Sequence, residues 1–198
     1  MVKIVDDVLI PDEELSELEK DALAISVAMS NRGLMKQTVD DWLNQVDYAS
    51  LNSGHYIPTT FALMFMNFIK LVNGEEGEQN KTPVVHLAML DQMAGTKKQI
   101  ANLCHRGLGK TTVFAEYLLP YIAIFEGIEG FGDIDGIIYI SDSMDNGVKS
   151  LRKNLEHRYH NSEYLQEYLP GASFTDAYIE FTNQDGRKTG IKMFGAKT

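Results

Sequence analysis

Residues 107–111 read Gly107-Leu108-Gly109-Lys110-Thr111, and no other stretch limits so tightly what this chain can fold into. Two glycines one residue apart let the backbone curl through conformations closed to other side chains. Such a turn brings main-chain N–H groups onto one concave surface. The apolar run after it, 111–125, predicts a long helix bent at Pro120, with its positive N-terminal end facing that concavity. The run before it, 98–103 (Lys-Gln-Ile-Ala-Asn-Leu), is expected to be a strand, although its alternation of apolar and polar residues is poor. Strand, glycine turn, lysine and helix together read as a phosphate-binding loop. In that reading Lys110 bridges the β- and γ-phosphates of a nucleotide, and the Thr111 hydroxyl is a ligand of Mg²⁺. The strict pattern is not met, because Cys104 stands where its first glycine belongs. The alternative is a loop that spells Gly-Leu-Gly-Lys-Thr and binds nothing.

The residues around this loop suggest a layered α/β chain. A continuous apolar run, Gly136-Ile-Ile-Tyr-Ile-Ser, is β-branched and aromatic and is expected to be a buried strand. A helix is expected over 143–159, with Val148, Leu151 and Leu155 on one side, and a short one over 162–169, ended by Pro170-Gly171. Residues 178–182 and 190–194 read as two strands joined through Asn183-Gln184-Asp185-Gly186. Residues 127–136 are a glycine-rich loop, and 84–93 a short helix. Strand, loop, helix, strand, helix in succession predicts a parallel sheet with flanking helices.

The first third differs. Pro11-Asp12 opens a stretch with Leu18, Ala22, Ile25 and Met29 at helical spacing, its other face carrying Glu13, Glu14, Glu17 and Asp21. Thr38, with Asp41 three residues on, reads as a helix cap before Trp42, Leu43 and Val46. Thr59 or Thr60 is expected to cap a core helix over 61–72 that Gly74 ends. Residues 74–82 are polar and glycine-bearing and stop at Pro83. The expected organisation is a helical N-terminal region (1–75), a linker (76–82) and an α/β core (83–198).

Net charge narrows the partners. At −10, the chain is too acidic for a broad nucleic-acid-binding face, so any such contact must be local or made elsewhere. A single cysteine, Cys104, excludes an intrachain disulfide and fits a reducing compartment. The N-terminus turns acidic at Asp6-Asp7, unlike a secretory signal. The longest apolar stretch, 57–72, contains Asn67 and Lys70 and is too short and polar to span a bilayer.

The stretch His105-Arg106-Gly107-Leu108-Gly109-Lys110-Thr111-Thr112 resembles the deviant Walker A motif of phage terminase large subunits, the DNA-packaging ATPases. In that family the first glycine is commonly absent and an arginine stands at the place of Arg106. Thr82-Pro83-Val84-Val85-His86-Leu87 is similar to the family's adenine-side segment. Tyr139-Ile140-Ser141-Asp142-Ser143 and the hairpin strand Ile179-Glu180-Phe181-Thr182-Asn183 are similar to its next core strands. The resemblance covers about 82–198 and implies a P-loop NTPase-type sheet with ATP and Mg²⁺ as cofactors. It implies nucleotide contacts from His86, His105, Arg106, Gly107, Leu108, Gly109, Lys110, Thr111 and Thr112. Arg106 and Lys110 take catalytic roles, Arg106 reaching the γ-phosphate. It further implies double-stranded DNA, a portal and a small terminase subunit as partners of the full-length protein, a ring homo-oligomer, no membrane, and host cytoplasm during virion assembly.

One part of such a motor is missing from the reading. Hydrolysis needs a hydrophobic strand ending in Asp-Glu, the Asp for the Mg²⁺ shell and the Glu to activate water. The strand ending at Asp142 lacks the glutamate, and no other segment read as a strand ends in Asp-Glu. The chain is therefore expected to be a fragment, or a naturally short form, without the catalytic carboxylates or a nuclease domain. Two other function classes stay open: a helicase-like P-loop ATPase, with Gln92 or Gln99 reading adenine, and a non-catalytic interaction module with a degenerate loop. His157 and His160, three apart with Glu156 beside them, lack a third metal ligand. Lys149, Arg152, Lys153 and Arg158 form a basic helix face whose plain reading is solvated surface and whose sharper one is contact with DNA phosphates.

Overall fold

The computed structural model describes residues 2–5, 8–11, 46–47, 58–74, 82–94, 99–101, 103, 107–128 and 130–197. The chain divides into two compact units, Met1–Asn67 with Asn80–Asp91, and Phe68–Gln79 with Gln92–Thr198.

In the first unit, β1 (Val2–Val5) and β2 (Val8–Pro11) form an antiparallel hairpin, Val2 opposite Pro11. These short β-branched runs pair where a helical region was expected, as their residue types favour. The helix expected over 12–29 lies outside the described residues. So does the one at Thr38, except that Val46 belongs to β3 (Val46–Asp47), paired in parallel with β4 (Thr82–Pro83). Helix α1 (Thr60–Asn73) is divided, its residues to Asn67 in this unit and from Phe68 in the other. Thr59 is its cap: Thr59 Oγ1 accepts from the Ala62 amide at 3.3 Å, satisfying one of the first-turn donors. Asp91, at the end of α2 (Val84–Asp91), accepts in turn from the Thr59 amide at 3.0 Å and hydroxyl at 2.6 Å. Gly74, at φ +59°, ends α1 as expected. Asn67 is buried on α1 with neither side-chain polar atom hydrogen-bonded. Among the described residues no helix is long and apolar enough to cross a membrane.

The second unit is a mixed α/β layer. Its sheet runs in the order β7 (Gly136–Ser143), β10 (Lys188–Lys197), β9 (Tyr178–Thr182), β8 (Gly171–Phe174). The β7–β10 pair is parallel, with Ile191 opposite Ile137, and the other two pairs are antiparallel. The sheet is therefore mixed rather than parallel. The tight Asn183–Gly186 turn forces β9 and β10 into a hairpin, with the Gly186 amide donating to the Asn183 carbonyl at 3.0 Å. Gly186 takes φ +80° there. The glycine-rich segment 127–136 holds a small hairpin of its own, β5 (Gly127–Ile128) with β6 (Gly132–Asp133).

Helices cover one face of the sheet. Residues 110–125 are helical throughout: a π-helical turn, Thr112–Tyr117, runs into α3 (Leu118–Phe125). Just before Pro120 there is a widened turn, in which the Leu118 amide donates to the Val113 carbonyl five residues back. A proline ring presses on the carbonyl four residues earlier, here that of Glu116, and a π turn at that level relieves the crowding. A second π turn, Met144–Val148, leads into α4 (Lys149–His160), followed by α5 (Glu163–Tyr168). Val148, Leu151 and Leu155 are buried on one side, as their spacing requires. With Leu165, Ile179, Phe181, Ile191 and Met193 they form one part of this unit's core, to which the helix over 112–125 adds Val113, Leu118, Leu119, Ile122 and Ile124.

Two strand expectations are corrected. β7 is not buried on both faces: its residues alternate, and Ile138 and Ile140 are 67% and 66% exposed, because helices cover only the opposite face. Gln99, Ile100, Ala101 and Leu103 lie outside any helix or strand.

Candidate functional site

The glycine turn has the backbone its sequence requires. Gly107 and Gly109 sit at φ +89° and +69°, in the left-handed region that residues with a Cβ avoid. Nothing lies within 4 Å of the position where a Cβ on Gly107 would be, so that side of the turn is open. The chain enters the helix at once: Lys110 and Thr111 are helical, and the Val113 amide donates to the Gly109 carbonyl at 3.0 Å. The first amides of a helix have no partner within it and collect there with the positive end of the dipole. Lys110 is half-buried and, among the described residues, has no ion pair or hydrogen bond. Thr111 is exposed, and its hydroxyl caps no amide. Leu108 and Thr112 are half-buried. His105 and Arg106 lie outside the described residues, as does Cys104. His86 is half-buried on α2 in the first unit, whereas the turn belongs to the second.

The helix behind the turn is anchored by a polar network that the sequence did not announce. Arg158 on α4 donates to Glu116 Oε2 at 2.8 Å and to the Tyr117 hydroxyl, and its guanidinium carbon lies 3.9 Å from the centre of the Tyr117 ring. Asn154 Nδ2 donates to the other Glu116 oxygen at 2.9 Å. Asn73 Oδ1 accepts from the Tyr117 hydroxyl at 2.8 Å and from Arg158 at 3.2 Å. Glu116 is buried, and a buried carboxylate is tolerated only when paired and hydrogen-bonded in this way. The only signal for the network was Glu116 itself, a carboxylate inside an otherwise apolar helix. Val72, Asn73, Glu116, Asn154, His157, Arg158 and Asn161 line a polar cavity of about 410 Å³ beside it.

The same contacts dispose of the basic face. Arg158 is committed to Glu116, Arg152 to Glu156 at 2.9 Å and Lys149 to Asp145 at 2.6 Å. Hydrogen bonding to Lys149 holds the Asp145 carboxyl below its ordinary value. Only Lys153 of the four has no carboxylate partner among the described residues. His157 lines the cavity, His160 lies against Tyr159 and Phe174, and Glu156 is taken by Arg152. No cluster of three His, Cys, Asp or Glu that could hold a metal ion occurs among the described residues.

The C-terminal end of β7 is built as a tight joint. Asp142 Oδ1 accepts from the Ser141 hydroxyl at 3.0 Å and the Ser143 amide at 2.9 Å, and Ser143 Oγ accepts from the Asn146 amide at 3.2 Å. Gly147 lies so close to Ser141 that an added Cβ would fall 1.6 Å from its Oγ. A strand followed by Asp-Glu does occur where Pro11-Asp12 reads as a helix start: β2 is followed directly by Asp12-Glu13. Its strand is antiparallel, in the first unit, and Asp12 and Glu13 lie outside the described residues. No protein-family model, curated protein or solved structure matches the chain.

Proposed function

We propose that this chain is the ATP-binding part of a DNA-packaging motor of the terminase large-subunit type, with a P-loop NTPase-type core. In such a motor ATP hydrolysis drives double-stranded DNA into a procapsid. The observation that carries the reading is the pair of left-handed glycines delivering an uncommitted Lys110 to the first turn of a helix. A polyphosphate needs those three things together: amides converging on it, a mobile cation and a helix N-terminus. Thr111, exposed at the start of that helix with its hydroxyl uncommitted to a cap, suits a ligand of nucleotide-bound Mg²⁺. The family assignment rests on the resemblance of 105–112 and of the strands after it, and DNA, portal and small-subunit contacts come with that assignment.

The chain is expected to bind nucleotide and to turn it over slowly or not at all. Asp142 has no glutamate after it, and one of its oxygens is already engaged by Ser141 and Ser143. Titration of a fluorescent ATP analogue into wild type and Lys110→Ala, with and without Mg²⁺, tests the binding. Loss of the lysine is expected to weaken the affinity at least about tenfold, or ~1.4 kcal/mol, and Mg²⁺ to tighten it for wild type. Equal binding by the two proteins would leave a non-catalytic interaction module as the better account. Rapid, Lys110-dependent hydrolysis would refute the absence of a catalytic carboxylate.

A further inference from the structure

The polar cavity beside Glu116 lies wholly within the second unit. Glu116 and Val72 are buried at its base, whereas Asn154, His157 and Asn161 are exposed at its rim, so it opens to solvent along α4. Positions 154, 157, 158 and 161 follow helical spacing and form a polar stripe beside the face that carries Leu151 and Leu155. A stripe turned toward a neighbouring helix is ordinarily apolar, because a buried ion pair such as Arg158 with Glu116 adds little over apolar packing. The π turn that carries Glu116 is a second sign, since such turns gather at functional sites.

The side-chain amides around the cavity are fixed in orientation. Asn154 Nδ2 is held by Glu116 at 2.9 Å and Asn161 Nδ2 by the His157 carbonyl at 2.7 Å, which leaves both Oδ1 atoms as free acceptors. Asn73 is held the other way round. Its Oδ1 accepts from Tyr117 at 2.8 Å and from Arg158 at 3.2 Å, which leaves Nδ2 as a free donor. Among the described residues these three atoms and the His157 ring have no hydrogen-bond partner. The charges are spent on each other: Glu116 and Arg158 meet at 2.8 Å, so an ion entering the cavity finds no unpaired carboxylate or guanidinium. A hydroxyl turns to suit either kind of partner, whereas locked acceptors and a locked donor select a ligand whose own N–H and C=O groups are fixed. Asn154 and Asn161 stand seven residues apart, about 10 Å along α4. An extended peptide covers that length in about three residues.

We propose that this cavity binds an extended peptide segment by its main chain, peptide N–H groups donating to Asn154 Oδ1 and Asn161 Oδ1 and a peptide carbonyl accepting from Asn73 Nδ2. The segment is an internal stretch of a partner polypeptide, since the charged ends of a free tripeptide would find no counter-charge in the cavity. His157, between the two asparagines in sequence, supplies an imidazole that donates or accepts as the segment requires. Glu116 stands six residues beyond Lys110, about 9 Å along the helix. The site needs no nucleotide, so it stands or falls apart from the binding proposed above.

Amide shifts in proton–nitrogen spectra of the nucleotide-free full chain test it, with N-acetyl-diglycine amide as the probe. Saturable shifts centred on Asn73, Asn154, His157 and Asn161 are expected. Triglycine, of similar length but with charged ends, is expected to bind at least about tenfold more weakly, and glucose not at all. Asn73→Asp keeps the oxygen that Tyr117 and Arg158 use and turns the free donor into an acceptor. It is expected to fold as wild type does and to weaken the capped peptide at least about tenfold, because a carbonyl then meets an oxygen. Should that variant fail to fold, Asn161→Leu removes one acceptor at an exposed position and is expected to weaken binding at least about threefold. No saturable shift, equal or tighter binding of triglycine or glucose, or wild-type affinity in the folded variant overturns the proposal.

Discussion

At the scale of single residues, the joint after β7 shows how little freedom the sequence leaves at Gly147. On an open helix surface, replacing glycine by alanine stabilises by about 1 kcal/mol, because alanine has less backbone entropy to lose. Here the sign reverses. A Cβ would stand 1.6 Å from Ser141 Oγ and 2.4 Å from Ser141 Cβ. Turning the hydroxyl away removes the first clash and leaves the second, which is against an atom fixed by the strand. Gly147→Ala is expected to destabilise by about 2 kcal/mol, as overpacking does. Gly136→Ala, where no atom lies within 4 Å of the new Cβ, is the control and should stay within about 0.5 kcal/mol of wild type. Urea unfolding of the two variants checks this, and a stabilised Gly147→Ala would mean that the joint is looser than described. Adding Ser141→Gly to Gly147→Ala should restore much of the loss, since the two residues share one space.

At the scale of elements, the β9–β10 hairpin carries an ion pair whose pH dependence has a definite sign. Lys188 Nζ lies 2.8 Å from Glu180 Oε1, and the Tyr178 hydroxyl donates to the other oxygen at 3.0 Å. The hydrogen bond from Lys188, then that from Tyr178, holds the Glu180 carboxyl below its ordinary value of 4.5. A carboxyl lowered on folding contributes stability that is present above 4.5 and lost as pH falls through the lowered value. Lys188 is raised above 10.5 mainly by its hydrogen bond to Glu180, so its share is present below that and lost as pH rises through the raised value. Lys188→Met is therefore expected to melt lower than wild type at pH 7, with the gap closing as pH drops below 4.5. Melts across that range decide it, and a gap of equal size at pH 3 would assign the loss to packing instead. The elements also show what a sequence can disclose. Val148, Leu151 and Leu155, the Asn183–Gly186 turn and the Thr59 cap were legible because each is a local rule of period, turn chemistry or capping. The wide turn before Pro120 was legible only as a disturbance, and β8 not at all, since Gly171-Ala172-Ser173-Phe174 has no alternation to read and forms by pairing with β9. The turn at Gly107 was likewise visible, while its anchor through Glu116, Arg158, Tyr117 and Asn73 spans 85 residues and exists only after folding.

At the scale of the whole molecule, charge sets what the chain can hold by itself. The net charge of −10 repels a polyanion over its surface, and several of the described cations that could offset it are already engaged. On α4, Lys149, Arg152 and Arg158 are held by Asp145, Glu156 and Glu116, and elsewhere Arg187 is held by Glu126 and Asp135. A cation paired with a carboxylate releases few counterions on meeting a phosphate, because its own counter-charge has first to be displaced. Non-specific duplex binders reach dissociation constants of about 10⁻⁴–10⁻⁶ M at physiological salt through many free contacts of this kind. This chain is expected to fall short of that range. Fluorescence anisotropy with a short labelled duplex should show no saturable binding at roughly 0.15 M salt up to about 100 μM protein, and Lys153→Glu should change nothing. If the duplex does bind, and binding weakens steeply with salt, the −10 surface must contain a local basic track, and Lys153→Glu will show whether α4 carries it. If it does not, a motor of the proposed kind would have to grip its DNA through surfaces other than these.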